Sequence, residues 1–103
     1  DKKARVVYKG YRITHISASK DGRFFVGDVL SVKGRPIIIG SIETGRGMIL
    51  CYSGSERGTS QYNHPHPYMT GDNGWVVFNS DATGVPQIYI ASVPEELLES
   101  LED

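Results

Sequence analysis

The chain has 103 residues, 39% of them apolar, with a formal charge of −1 and three histidines, which suits one small folded domain of ordinary hydrophobicity. No basic block longer than two residues occurs, so neither nucleic acid nor an anionic membrane surface is an expected partner. The longest apolar runs are strand-sized and far below membrane-spanning length, and the single cysteine, Cys51, excludes an intrachain disulfide and agrees with a reducing compartment.

Asp1-Lys2-Lys3-Ala4-Arg5 carries no initiator Met and no hydrophobic leader, the beginning expected of a piece cut from a longer chain. Val6-Val7-Tyr8 reads as a short strand ended by Lys9-Gly10. Tyr11 to Ser19 alternates and is rich in β-branched residues, which predicts a strand. Lys20-Asp21-Gly22-Arg23 predicts a hairpin turn, because Asp-Gly supplies the positive-φ positions, and Phe24 to Leu30 is the return strand. Lys33 to Pro36 breaks the chain before a strand over Ile37 to Ile42; Glu43 to Gly47 turns, and Met48 to Tyr52 is the fourth strand. Cys51 lies in this apolar run and reads as a buried, unreactive thiol. Ser53 to Ser60 has no apolar side chain and is expected to be a mobile surface loop.

The pattern then restarts. His66 to Thr70 is strand-like, Asp72-Asn73-Gly74 turns, Trp75 to Asn79 returns with Trp75 expected in the core, Asp81 to Pro86 breaks, and Gln87 to Ser92 is a further strand. Setting His15 on His66, an offset of 51 residues, places Asp21-Gly22 beside Asn73-Gly74, Phe24-Phe25-Val26 beside Trp75-Val76-Val77, and Asp28 near Asp81 with one inserted residue. The recurring Asp28 and Asp81 predict structural hydrogen bonds to loop amides. Four short antiparallel strands repeated at this period are the signature of propeller blades. Pro94 to Glu102 opens with proline and acids and sets Leu97, Leu98 and Leu101 on one face, predicting a short amphipathic helix.

The expected fold is therefore all-β: roughly two four-stranded antiparallel blades of a β-propeller with a short C-terminal helix. Residues 1–10 would be the last strand of a preceding blade, 11–60 a full blade with its loop, 61–93 a three-stranded blade and 94–103 the helix. About two blades cannot close a ring of roughly four to eight. The open faces are expected to be covered by the remainder of a propeller or by other copies of the chain.

The segment Gln61-Tyr62-Asn63-His64-Pro65-His66-Pro67 carries the chemistry. His64 and His66 each precede a proline, which predicts extended backbone at both. Residues two apart on an extended segment project from one face, so the imidazoles are presented together, and the amide oxygen of Gln61 can join them if the chain turns at Tyr62-Asn63. The same residues also fit the start of a strand whose histidines bond to neighbouring loops. Arg57 offers a planar fork for a carboxylate or a solvated loop charge. Tyr62 and Tyr68 offer stacking on a sugar or packing against adjacent strands.

Together, Thr14-His15-x-x-x-x-Lys20-Asp21-Gly22-Arg23, Gln61-x-x-His64-x-His66-Pro67 and Asn79-Ser80-Asp81-x-x-Gly84-x-Pro86-Gln87-Ile88-Tyr89 resemble the C-terminal part of oligogalacturonate lyases. That resemblance implies a seven-bladed, TolB-like propeller enzyme that finishes pectin breakdown inside bacteria, hence a cytoplasmic location and an oligogalacturonide substrate. It also implies a manganese ion held by Gln61, His64 and His66, with His15 from the preceding blade. Imidazoles and an amide oxygen suit Mn, Fe, Co, Ni or Zn alike. In the resembled enzymes the base is a further histidine, aided by an arginine, from earlier blades. With all three histidines assigned as ligands, no catalytic residue is expected in this chain, which would be inactive by itself. The alternative reading is a non-catalytic TolB-like segment serving as a protein-binding module.

Overall fold

Short runs of β-branched and aromatic residues, each closed by a glycine or Asp/Asn turn, form the strands of the computed structural model, which describes residues 3–55 and 64–103. Among these residues the order is β1 (Ile16–Ala18), β2 (Phe24–Asp28), β3 (Pro36–Ser41), β4 (Gly47–Tyr52), β5 (Tyr68–Met69), β6 (Trp75–Ser80), β7 (Gln87–Ser92) and α1 (Glu95–Glu102). They make two antiparallel sheets, β1-β2-β3-β4 and β5-β6-β7. The expected all-β architecture with a C-terminal helix is the observed one.

Backbone pairing carries the repeat. Ala18 opposes Phe25 in the first sheet, and Met69 opposes Val76 in the second, the same offset of 51 residues that relates His15 to His66. The turns repeat as well. Ser19 Oγ donates to Asp21 at 2.7 Å and Asp21 accepts the Arg23 N–H, as Thr70 Oγ1 donates to Asp72 at 2.7 Å and Asp72 accepts the Gly74 N–H. Gly22 (φ 75°) and Asn73 (φ 61°) occupy the left-handed position of each turn. Asp21 is thus the equivalent of Asp72, one residue away from the pairing expected from sequence. These hydrogen bonds hold both carboxyls below the usual carboxylate range, with the Ser19 and Thr70 hydroxyls the largest causes. Asn73 Nδ2 also donates to Asp21 at 2.8 Å, fastening one sheet to the other.

Alternation sorts the strands into two faces. Phe24, Val26, Ile37 and Ile39 meet Met69, Val76, Phe78, Val93 and Leu101 in the core between the sheets. Phe25, Val29 and Ile38 form a second cluster with Val7, Tyr8 and Ile13 of the N-terminal segment. β2 and β3 are consequently buried along their whole length. The strand expected at Val6-Val7-Tyr8 does not form, because no neighbouring strand among the described residues offers a ladder there. The segment instead crosses the first sheet irregularly, with Tyr8 at 5.4 Å from Phe25 between ring centroids. A groove of about 540 Å³ remains between this segment and Ile16, Phe25 and Ile42. A Cβ at Gly27 would collide with Ile13 and crowd the His15 carbonyl, so glycine here lets the chain close over β2 just before the histidine.

Two further expectations are corrected. Trp75 is 43% exposed, on the outer face of the second sheet that Ile90 and Ile88 share, because Val76 and Phe78 take the inward positions. Tyr68 is also exposed on that face. Ser53 and Ser55 are buried: Ser53 Oγ donates to the Arg35 carbonyl at 2.7 Å, and Ser80 Oγ donates to the Ser53 carbonyl at 2.6 Å. α1 packs through Leu101, whose carbonyl accepts from Thr44 Oγ1 at 2.6 Å, and Glu102 pairs with Arg23 at 3.0 Å. No helix among the described residues is long and apolar enough to cross a membrane.

Candidate metal centre

The first residues of β1 and β5 lie at the same end of adjacent sheets; His15 immediately precedes β1, and His66 lies two residues before β5. In β1, Ser17 opposes Val26 on the face turned towards the second sheet, so His15, two residues earlier, shares that face. His64, on the same incoming segment as His66, completes a cluster. One ring nitrogen from each of His15, His64 and His66 lies within 4.8 Å of the others. Ring centroids are 3.8 Å apart for His15 and His66, 5.3 Å for His15 and His64, and 5.9 Å for His64 and His66.

His66 reaches this cluster by a different backbone route from the one expected. Its φ is 44°, in the left-handed region, not extended as the following proline predicted. A non-glycine residue there costs about 1–2 kcal/mol, and such conformations persist where surrounding contacts over-determine them. The contact here is to Asp28. His66 N–H donates to Asp28 Oδ2 at 3.1 Å, bending the second segment onto the first sheet.

Asp28 is wholly buried. It follows Phe24 and Val26 at the period-two positions that face the second sheet, a place where alternation calls for an apolar residue. Its carboxylate accepts the His15 backbone N–H at 2.9 Å, and both oxygens lie near His15 Nδ1, at 2.9 and 3.1 Å. Asp28 makes the expected bonds to loop amides; the contact to the His15 ring was not foreseen, although a carboxylate in the core-facing register of a strand was the available signal. Asn79, whose N–H reaches the Pro65 carbonyl as Asp28 N–H reaches that of His15, takes the equivalent place in the second sheet, and Asp81 lies beyond it.

His64 is the electrostatically perturbed member. Burial, then the positive potential of His15 and Arg35, pushes its imidazole below the usual histidine value, against the opposing influence of Asp28. Its Nδ1 is buried without a hydrogen-bond partner among the described residues. A buried polar atom in that condition costs stability unless something meets it, and the three imidazoles together are a group that could hold a cation. Ligand nitrogens sit about 2.0–2.1 Å from a zinc-like ion, so a first-row divalent cation shared by the three imidazoles would draw together nitrogens that now lie within 4.8 Å of one another. Gln61, expected as a fourth ligand, and Arg57 and Tyr62, expected near substrate, lie outside the described residues. Cys51 is half-buried, and burial pushes its thiol up, consistent with an unreactive role.

No family profile matches the chain. Over 101 residues it is 28% identical to an oligogalacturonide lyase of Pectobacterium atrosepticum and 26% identical to an oligogalacturonate lyase of Dickeya dadantii, alignments that take in 82% of this chain. Its relatives are oligogalacturonate lyases. The chain spans about a quarter of their length, 26% in each case. Its fold matches an oligogalacturonate lyase solved in complex with manganese, with a TM-score of 0.76 and 24% identity over 88% of this chain and 26% of that one. It also matches an oligogalacturonate lyase from Vibrio parahaemolyticus, with a TM-score of 0.73 and 31% identity over 82% of this chain and 25% of that one.

Proposed function

We propose that this chain is the metal-binding part of an oligogalacturonate lyase, which cleaves short or unsaturated oligogalacturonides by β-elimination in the bacterial cytoplasm. The observation that carries this reading is that one ring nitrogen from each of His15, His64 and His66 lies within 4.8 Å of the others, while His64 Nδ1 is buried without a hydrogen-bond partner among the described residues. A histidine serving only to cap a strand would have its ring nitrogens engaged by backbone, which favours the lyase reading over a protein-binding module.

His15, His64 and His66 would hold the cation, with Gln61 as the fourth ligand by resemblance. Manganese is the first candidate because a structural neighbour is a manganese complex, and the donor set also accepts Fe, Co, Ni or Zn. A divalent cation bound there supplies Lewis-acid stabilisation of the charge that develops on a uronate carboxylate when the adjacent C–H bond is broken. The protein's own part is geometric: the two sheets bring together the imidazoles of His15, His64 and His66, which would hold the cation. Elimination then moves the C–H proton to a base, forms a C=C bond and expels the glycosidic oxygen. That base lies in blades outside this chain, and the chain alone binds without turnover.

The test is water-proton relaxation of the Mn²⁺-loaded protein titrated with unsaturated digalacturonate and, in parallel, with a neutral galactose disaccharide. The uronate is expected to displace metal-bound water with no product formed. An identical response to both sugars refutes carboxylate binding, and turnover at a complete enzyme's rate refutes the missing base.

A further inference from the structure

We infer that Asp28 is the positioning residue of this centre: it fixes His15 in the Nδ1–H tautomer and docks the His66 segment, so that one carboxylate aligns ligands from both sheets. The inference rests on the metal-centre reading above and concerns a residue outside the ligand set.

Four distances carry it. Asp28 Oδ1 accepts the His15 backbone N–H at 2.9 Å and lies 3.1 Å from His15 Nδ1, while Oδ2 lies 2.9 Å from the same Nδ1 and accepts the His66 N–H at 3.1 Å. An ionised carboxylate only accepts, and a neutral imidazole carries one proton. Nδ1 therefore bears the hydrogen and Nε2 keeps its lone pair, the arrangement in which an outer carboxylate orients a metal-binding histidine. The second duty is independent of the ring: the His66 amide held on Oδ2 stabilises the left-handed backbone at φ 44° that turns this histidine towards His15. Burying a carboxylate at the end of β2, opposite Ile37, is costly without such partners, and Asp28 is 0% exposed.

The experiment has two readouts on the 103-residue chain. Long-range ¹H–¹⁵N correlation of the metal-free wild type is expected to show His15 as Nδ1–H, with the other tautomer or a mixture in Asp28→Asn. Co²⁺ and Mn²⁺ affinities, by calorimetry and by the Co²⁺ visible spectrum, are expected to fall about 10–100-fold in Asp28→Asn. Val76→Ala, a core change between the same sheets, is the stability control and should leave affinity within about threefold of wild type.

A wild-type His15 found as Nε2–H overturns the inference whatever the metal does. Affinity of folded Asp28→Asn equal to wild type, or an equal loss in Val76→Ala, also overturns it. Wild type that binds neither ion while His15 remains Nδ1–H sinks the metal centre itself and leaves Asp28 as an orienter of the ring alone, which separates the two failures.

Discussion

Replacing Val76 with alanine tests which face of the second sheet is turned to the core. Val76 is 0% exposed and sits in the core with Phe24, Val26 and Ile39. The substitution removes two carbons, worth about 0.8 kcal/mol each in transfer free energy. If the neighbours do not relax, roughly 50 Å³ is left empty, adding up to about 1.2 kcal/mol at ~24 cal/mol per Å³. The expected loss is about 2–3 kcal/mol, a substantial part of the ~5–15 kcal/mol available to a small domain. In thermal unfolding followed by circular dichroism this corresponds to a Tm lower by roughly 10–20 °C. Ile88→Ala is the matched comparison: Ile88 is 79% exposed on the outer face of the same sheet, and its change should stay within about 0.5 kcal/mol. Equal Tm shifts in the two variants, or a larger one for Ile88→Ala, would refute the assignment of faces.

Removing one ligand should act on metal and fold differently. His64→Ala is expected to reduce Mn²⁺ affinity more than the ~10–100-fold typical of an outer-shell change, without lowering the Tm of the metal-free protein, because its buried Nδ1 has no partner to lose among the described residues; calorimetry and thermal unfolding read both. Asp21 and Asp72 have carboxyls depressed in the folded state, so their stabilisation is fully present above the ordinary carboxylate pKa of about 4 and is lost as pH falls below it. Urea midpoints should therefore drop on acidification less steeply in an Asp21→Asn, Asp72→Asn double variant than in wild type, and parallel curves would contradict this. Cys51, with its thiol pushed up by burial, should react with iodoacetamide far more slowly in the native protein than in denaturant; equal rates would place it at the surface. Saturating metal should raise the Tm, about 2.7 kcal/mol of stabilisation being expected at one hundred times Kd, and a chelator should reverse it.

The repeat was legible because its turns are chemically specific. Asp-Gly and Asp-Asn-Gly fix hairpin positions, and the hairpins fix the offset that brings His15 and His66 to equivalent strand starts. What the sequence concealed lies where tertiary contacts override local rules. The proline after His66 argues for extended backbone, yet the Asp28 carboxylate holds that residue left-handed. Val6-Val7-Tyr8 has strand composition, but a strand needs a partner, and among the described residues none borders it. Trp75 was assigned by hydrophobicity, whereas period-two alternation with Val76 and Phe78 inward puts it outside. Asp28 was visible as a carboxylate but not as the link between two histidines, since that role depends on a second sheet arriving from far along the chain.

The most direct measurement is a calorimetric titration of the metal-stripped 103-residue protein with Mn²⁺ and Co²⁺, repeated on the His15→Ala, His64→Ala and His66→Ala variants. One ion bound per chain in wild type, with affinity lost in each folded variant, is the predicted result. Absence of binding in wild type, or binding that survives all three substitutions, would contradict a cation centre built from these histidines.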